Sequence, residues 1–148
     1  MATQRHEIRV AYEQRSGTLS APRVRRVVAA VLDGERTGPA SVSVTFLSGP
    51  RMRGLNRRSF GRDRATDVIA FGMTHAGRLV GDVYVCPGVA RRSARRYGAT
   101  PREELTRLVV HGTLHLAGYD HPEGAERERC LMWERQEWYV RKLTSGES

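Results

Sequence analysis

Three histidines in the C-terminal third of the chain have the spacing of a metal site. Residues 111–121 read HGTLHLAGYDH. In a helix, His111 and His115 share one face with their Cβ atoms about 5–6 Å apart, so both imidazoles can reach one zinc ion at about 2.0–2.1 Å. Gly118 predicts the end of the helix and a turn that brings His121 back over the metal. Three ligands leave the fourth tetrahedral position open, as in catalytic zinc sites.

Position 112 distinguishes between two kinds of metal-dependent hydrolase. The histidine spacing is that of the metzincin proteases, which place a glutamate directly after the first histidine, whereas this chain has Gly112. Because that glutamate is the base in peptide hydrolysis, its absence argues against a protease. A bound metal can still lower the pKa of water to about 7 and polarise a phosphoryl oxygen. The motif therefore predicts hydrolysis and leaves the substrate open.

Other interpretations of these residues remain open from the sequence alone. A helical histidine is often buried and hydrogen bonded to a backbone carbonyl without any metal. A closed structural zinc would need a fourth ligand, for which Asp120 and Cys130 are the nearest candidates. In a catalytic site, Asp120 is instead the predicted acceptor for the second N–H of a ligating imidazole. We interpret Asp67 as a cap or turn residue, and Asp82 as a buried group bonded to backbone.

The charge of the chain favours a polyanionic partner. The 148 residues carry a formal net charge of +9 with a pI near 10.7, and Lys142 is the only lysine. Arginine offers paired donors to phosphate and stacks on bases, which suits RNA, although genomic base composition can also raise the arginine content. The arginines of one predicted helix are interpreted either as an RNA guide or as a solvated face. They are Arg91, Arg92, Arg95 and Arg96.

Size and composition predict one soluble domain over residues 1–148. The hydrophobic fraction of 39% is sufficient for a core, and two cysteines are too few for a disulfide scaffold, which favours a reducing compartment. No signal-like segment opens the sequence, and no apolar run of about 18 residues occurs in it. We therefore expect a cytoplasmic protein that does not associate with a membrane.

Hydrophobic periodicity predicts the element order βαβαββααα, and hence one α+β domain. The predicted strands are 6–12, 41–47, 67–73 and 79–86, and the predicted helices are 20–32, a short one from 48, 89–97, one from 100 through the histidine motif, and 123–143. Residues 57–64 are predicted to form a basic loop, and residues 74–78 a loop between two strands. In the last helix, Leu131, Trp138 and Val140 are predicted to pack.

Four blocks of residues resemble the YbeY family of bacterial endoribonucleases, also called rRNA maturation factors. The blocks are Leu55-Asn56, the TDVIAF segment 66–71, Gly81-Asp82-Val83 and the histidine motif 111–121. The resemblance implies a zinc-dependent, single-strand-specific endoribonuclease that acts in 3′-end maturation of small-subunit (16S) rRNA and in ribosome quality control. It also implies a mixed sheet of about four strands with surrounding helices.

The resemblance extends to the metal site and to the partners. It implies a zincin-like site, on a helix and the turn after it, where His111, His115 and His121 hold one Zn2+. Single-stranded RNA, an rRNA precursor and the ribosomal small subunit are the implied partners, and a ribosomal protein is a candidate for conferring specificity.

One departure from the family pattern concerns RNA contact. Where the family usually has an aromatic residue followed by an arginine, this chain has Ser59 and Phe60, and Ala65 replaces a common proline. Phenylalanine cannot bind a phosphate, but it can stack a base. The RNA-binding candidates are therefore Arg57, Arg58, Phe60 and Arg62.

Two further functions compete with the nuclease. One is a ribosome-associated RNA-binding or assembly factor whose metal is mainly structural; it would have no nuclease activity to lose when His115 is replaced. The other is a metalloprotease, which is disfavoured by Gly112 and by the expectation that the cleft is basic.

Overall fold

The computed structural model of the chain describes residues 6–120 and 130–145. The strands are β1 (Glu7–Tyr12), β2 (Ala40–Phe46), β3 (Val68–His75) and β4 (Arg78–Val85). The helices in this part of the chain are α1 (Ala21–Gly34), α2 (Gly49–Phe60), α3 (Pro87–Tyr97), α4 (Pro101–Leu116) and α5 (Leu131–Thr144). The α+β class and the predicted element order are confirmed. The predicted start of the last helix, at residue 123, lies outside the described residues.

The four strands form one mixed sheet in the order β1-β2-β4-β3. Strands β1, β2 and β4 are parallel, whereas β3 pairs antiparallel with β4 as a hairpin. Parallel neighbours need a crossover connection, and α1 provides it between β1 and β2. In the part of the chain that the structure describes, only β4 pairs with β3, so β3 lies at an edge of the sheet. The mixed four-stranded sheet is thus confirmed.

The two faces of the sheet differ in what covers them. On the core face, Val42 and Val44 of β2 and Val83 of β4 are buried beneath α1 and α4. Side chains of successive strand residues point to opposite faces, so Ser43, Asp82 and Phe71 lie side by side on the other face. We call this second face the open face; it also carries Arg9, Ser41, Val80 and Met73.

Helix α4 is the central helix of the core. Thr100 caps its first turn by accepting a hydrogen bond from the Glu103 backbone N–H, and Pro101 fits the first helical position. Most of its residues are buried, including the predicted core residues Leu105, Leu108, Val109 and Leu116. The helix ends at Leu116, and Gly118 then adopts a φ of +106°. The predicted stop at this glycine is confirmed.

Helix and strand extend into two segments that were predicted as loops. Helix α2 continues to Phe60 and ends at Gly61, whose left-handed backbone closes the last turn, so Arg57 to Phe60 are helical rather than part of a basic loop. Strands β3 and β4 continue to a two-residue turn, Ala76-Gly77, in which both residues have positive φ. Such turns match the twist of a hairpin, which explains why the strands extend beyond the predicted loop 74–78.

Helix α5 packs differently from the prediction. Val140 is buried, but Leu131 is 63% exposed and Trp138 is 40% exposed. Arg135 and Lys142 lie over the Trp138 ring instead of apolar side chains. Among the described residues, no helix is both long and apolar enough to cross a membrane.

Candidate metal centre

His111 and His115 approach each other at the C-terminal end of α4. Their Nε2 atoms are 3.1 Å apart, and their ring centroids are 4.6 Å apart with the rings nearly perpendicular. Two nitrogen ligands of a tetrahedral zinc ion, each about 2.05 Å from it, are separated by about 3.3 Å. The pair therefore has the spacing of two ligands of one ion.

Hydrogen bonds on the far side of each ring determine which nitrogen carries the proton. His111 Nδ1 lies 2.6 Å from Gln136 Oε1, and His115 Nδ1 lies 2.8 Å from the Tyr119 carbonyl oxygen. Gln136 Nε2 donates to Glu137, which fixes the orientation of the amide. Since carbonyl oxygens only accept, both Nδ1 atoms are donors.

The two Nε2 atoms consequently carry lone pairs when the rings are neutral. Two such lone pairs at 3.1 Å are held together by a positive charge that they share, either a proton on one of the rings or a metal ion between them. Neutral imidazole with its other N–H bonded to a carbonyl is the usual state of a metal-ligating histidine. The donor set of His111 and His115 thus fits a divalent metal ion.

The third predicted ligand, His121, lies outside the described residues. Within residues 6–120 and 130–145, no group of three histidine, cysteine, aspartate or glutamate side chains could hold a metal. Asp120 and Cys130 therefore do not complete a closed zinc site with the two histidines. His111 is buried and His115 is half-buried.

The partners of the two imidazoles differ from the predicted one. Asp120 Oδ1 is 3.8 Å from His115 Nδ1, beyond hydrogen-bond reach, and the Asp120 side chain is almost fully exposed. The carbonyl of Tyr119 is the acceptor for His115 Nδ1, so a role for Asp120 beside a ligating imidazole stays a prediction for His121, which lies outside the described residues. Gln136, the partner of His111, was not predicted because it comes from α5, 25 residues later in the chain. Sequence spacing carries no signal for such a contact.

Gln136 belongs to a network between α4 and α5. Arg107 donates two hydrogen bonds to Glu137, at 2.8 and 2.9 Å, and one to Glu104 at 2.9 Å. Burial would raise the pKa of Glu137, but the hydrogen bonds from Arg107 and Gln136 outweigh it and lower the pKa. Burial dominates at Glu104 and raises its pKa. The network holds the Gln136 amide against His111.

A second network holds the turn that follows α4. Glu35, at the end of α1, accepts hydrogen bonds from Tyr119 Oη at 2.6 Å, from Arg135 at 2.6 Å and from Tyr139 Oη. These three bonds lower the pKa of Glu35 although burial acts in the opposite direction. Burial and the bond to Glu35 raise the pKa of Tyr139 to about 12. Glu35 thus joins the end of α1 and helix α5 to Tyr119, whose carbonyl orients His115.

A cleft of about 450 Å3 lies beside His111. Its described lining includes one cation, Arg107, and four carboxylates: Asp67, Glu103, Glu104 and Glu137. The described lining beside His111 is therefore acidic, which differs from the expectation of a basic cleft. Arg107 reduces the acidic charge by pairing with Glu137 and Glu104.

The two other carboxylates in the motif blocks are placed differently from each other. Asp67 is half-buried in the turn before β3, where its backbone carbonyl accepts a hydrogen bond from the Cys86 N–H. The interpretation of Asp67 as a turn residue agrees with this position. Asp82 is exposed on the open face and accepts a hydrogen bond from the Ser43 hydroxyl. Its interpretation as a buried group bonded to backbone is wrong, because β4 turns this side chain away from the core.

The RNA-binding candidates lie away from the histidine cleft. Arg57, Arg58 and Phe60 form the exposed end of α2, and Arg62 follows just after it. Phe60 stacks on Phe71 of the open face, whereas α4 covers the core face. The structure thus places the end of α2 beside the open face, whereas His111 belongs to the helix that covers the core face. The arginines 91, 92, 95 and 96 are exposed on α3.

Gly112 has a packing role that explains the absence of the metzincin glutamate. A Cβ atom at this position would lie 2.5 Å from Val83 Cγ1 and 3.3 Å from Val68 Cγ2. Because α4 lies this close to the sheet, position 112 has no room for a side chain. A glutamate here could not reach the metal side of the helix.

The fold and the histidine pair define a class of α+β proteins in which the helix covering a mixed four-stranded sheet carries two facing imidazoles at its end. The family model described as Endoribonuclease YbeY matches residues 9–144. The chain belongs to this family.

Individual relatives agree with the family match. A Sulfurihydrogenibium protein named Endoribonuclease YbeY is 33% identical over an alignment of 146 residues that covers 96% of this chain and 95% of the relative. A Thermotoga maritima protein of the same name is 38% identical over 106 residues, or 72% of this chain and 69% of the relative. A solution structure of a T. maritima protein superposes with a TM-score of 0.66 at 32% identity, covering 93% of this chain and 89% of that one.

Proposed function

We propose that this protein is a zinc-dependent endoribonuclease that cleaves single-stranded RNA in the 3′-end maturation of 16S rRNA and in ribosome quality control. Its membership of the Endoribonuclease YbeY family, and the same name of its relatives, support endonucleolytic cleavage of RNA as the reaction class. The observation that carries the metal dependence is the approach of the His111 and His115 Nε2 atoms to 3.1 Å.

In this proposal His111, His115 and His121 hold the zinc ion. The chemistry that bound zinc supplies is an acidified water and a polarised phosphate oxygen. Gln136 and the Tyr119 carbonyl keep the two described rings in the tautomer and orientation that ligation needs. The exposed arginines Arg57, Arg58 and Arg62 bind phosphates of the RNA and position the strand.

A second candidate function is RNA binding or ribosome assembly with a mainly structural metal. The observation that favours it is the acidic lining of the cleft beside His111, which repels phosphate. A metalloprotease is disfavoured because position 112 cannot hold the glutamate that peptide hydrolysis needs. We also propose that the protein is cytoplasmic and that it contacts the ribosomal small subunit and a ribosomal protein.

A cleavage assay separates these functions. Purified chain reconstituted with zinc is incubated with labelled single-stranded RNA, with the same RNA annealed to its complement, and with casein. His115→Ala, purified in parallel, reports contaminating nuclease. We expect products only from single-stranded RNA and only with the unmodified chain. RNA products no greater than those of His115→Ala would refute the nuclease, and casein products would indicate a protease.

A further inference from the structure

Three aromatic rings lie together at the β3 side of the open face, and we call them the aromatic platform: Phe60, Phe71 and Tyr84. The Phe60 and Phe71 rings are stacked, with centroids 5.9 Å apart and an interplanar angle of 8°. Tyr84 contacts Phe71 edge to face, at 6.2 Å and 70°. The arrangement is a short parallel stack supported from the side by a third ring.

The platform is exposed although it is apolar. Phe60 is 54% exposed and Phe71 is 36% exposed, and Met73 beside them is 62% exposed. A contiguous exposed apolar patch is typical of a binding site rather than of ordinary surface. Within the stack, Phe60 is the more exposed of the two rings.

Charge and hydrogen-bonding groups around the platform favour a nucleic acid. Arg57 and Arg58 occupy the same helical turn as Phe60, and both are exposed. They belong to a chain whose formal net charge is +9. On the sheet next to Phe71, Asp82 is acidic and accepts a hydrogen bond from Ser43, so phosphates of a bound strand are expected on the α2 side of the rings. Arg57 also lies 3.7 Å from Asp63, and an apolar protein partner would not need exposed cations on the helical turn that carries Phe60.

The platform is connected to the histidine helix through the edge strand. Phe71 points to the open face, whereas the next residue, Gly72, faces α4. A Cβ at Gly72 would lie 2.9 Å from Leu116 Cδ2, and Leu116 directly follows His115. Within the described residues β3 is the last strand of the sheet, so an RNA strand that crosses this edge can contact both the platform and the end of α4.

We propose that the aromatic platform binds bases of single-stranded RNA by stacking on Phe60, with Arg57 and Arg58 on the adjoining phosphates. The proposal rests on the proposed nuclease function for the identity of the polymer. It adds a substrate-binding site on the face of the sheet opposite to the histidines. Such stacking tolerates any base and excludes paired bases, which gives the site a physical preference for single strands.

Binding is measured separately from cleavage. The probe is a fluorescent 2′-O-methyl uridine oligomer, which resists cleavage, and its anisotropy is followed during titration with the zinc-loaded chain. Phe60→Ala and Phe60→Leu both remove the ring, and we expect each to weaken binding about five-fold or more. Phe60→Trp retains a ring and should restore affinity. Trp138→Ala, at an exposed aromatic on α5, should leave the affinity unchanged.

An abasic oligomer of equal length and charge tests the mechanism, because it should bind the unmodified chain and Phe60→Ala equally. Affinity for the uridine oligomer within two-fold of the unmodified chain in both Phe60→Ala and Phe60→Leu would overturn the proposal, even if RNA cleavage is retained. The proposal would also be overturned if Phe60→Ala lost as much affinity for the abasic oligomer as it loses for the uridine oligomer. A change in sedimentation of Phe60→Ala with unchanged RNA affinity would assign the platform to self-association. If the unmodified chain cleaves no RNA but removal of the Phe60 ring still weakens RNA binding, the nuclease function is refuted and RNA binding by the platform is supported.

Discussion

The two faces of the sheet are built in opposite ways. On the core face, His111 and His115 project from a helix whose residues are mostly buried, and each ring is held by a hydrogen bond from its Nδ1 atom to a carbonyl oxygen. On the open face, Phe60 and Phe71 are exposed, and the neighbouring arginines extend into solvent. The first arrangement fixes atoms in place, and the second leaves side chains free to adapt.

This difference corresponds to two separate tasks. Metal ligation needs nitrogen atoms placed within a few tenths of an ångström, which buried hydrogen-bond networks provide. Binding a polymer of variable sequence needs stacking surfaces and charges that accept many positions. The variants that follow perturb one face at a time; Gln136→Leu and Arg58→Ala, for which both zinc and RNA affinity are measured, test whether the two tasks are separable.

The largest expected effect concerns the acceptor behind His111. Gln136→Leu removes the oxygen that holds Nδ1 and leaves a buried donor unpaired, so zinc affinity should fall about 10–100-fold. Competition with a chelating dye measures the affinity, and Glu134→Gln, at an exposed position of the same helix, serves as the control. Affinity for the uridine oligomer should not change. Unaltered zinc affinity would show that Gln136 does not position the ring.

The next effect tests the close approach of α4 to the sheet. Gly112→Ala places a methyl group 2.5 Å from Val83 Cγ1, so the free energy of unfolding should fall by about 1–3 kcal/mol. Urea denaturation measures the change. Gly54→Ala in α2 is the matched control, because its nearest neighbour is the flexible end of Arg58. A Gly112→Ala chain as stable as the unmodified one would contradict the packing explanation for the missing glutamate.

A smaller, pH-dependent effect is expected at Glu35. Its pKa in the folded chain is lowered from the ordinary 4.5, so folding favours the ionised form. The resulting stability is fully present above pH 4.5 and is lost as the pH falls through the folded pKa. Glu35→Gln should therefore cost about 1 kcal/mol at pH 7, and the difference from the unmodified chain should shrink below pH 4.5. Thermal unfolding at several pH values provides the comparison; a difference independent of pH would contradict it.

The smallest effect concerns one phosphate contact on the open face. Arg58→Ala should weaken binding of the uridine oligomer and reduce the slope of log affinity against log salt by about 0.7, the value for one contact to a single strand. Arg92→Ala on α3 is the control for a general loss of charge. Zinc affinity should be the same in both variants. An identical slope for Arg58→Ala and the unmodified chain would remove Arg58 from the binding surface.

The sequence predicted most of the scaffold because local signals marked it. Alternating apolar residues identified the strands, and Gly118 marked the end of the histidine helix. The extension of α2 to Phe60 was missed because its last turn is polar and exposed, although Gly61 was a usable stop signal. The turn at Ala76-Gly77 was missed because alanine rarely adopts a positive φ.

The surroundings of the candidate site were much less predictable. The spacing of His111 and His115 suffices to place two imidazoles together, since helix geometry is local. The contacts of Gln136 and Glu35 depend on how α5 and α1 pack, which no local pattern encodes. The separation of Phe60 from the histidine cleft likewise follows from sheet order and from which face each strand residue occupies.

If the histidines share one zinc ion, the zinc content of the protein must depend on each of them. The unmodified chain, His111→Ala and His115→Ala are loaded with zinc, dialysed and measured by elemental analysis, with circular dichroism to verify folding. We expect about one zinc ion per folded unmodified chain and almost none in either variant. Full retention of zinc by both folded variants, or its absence from the unmodified chain, would contradict it.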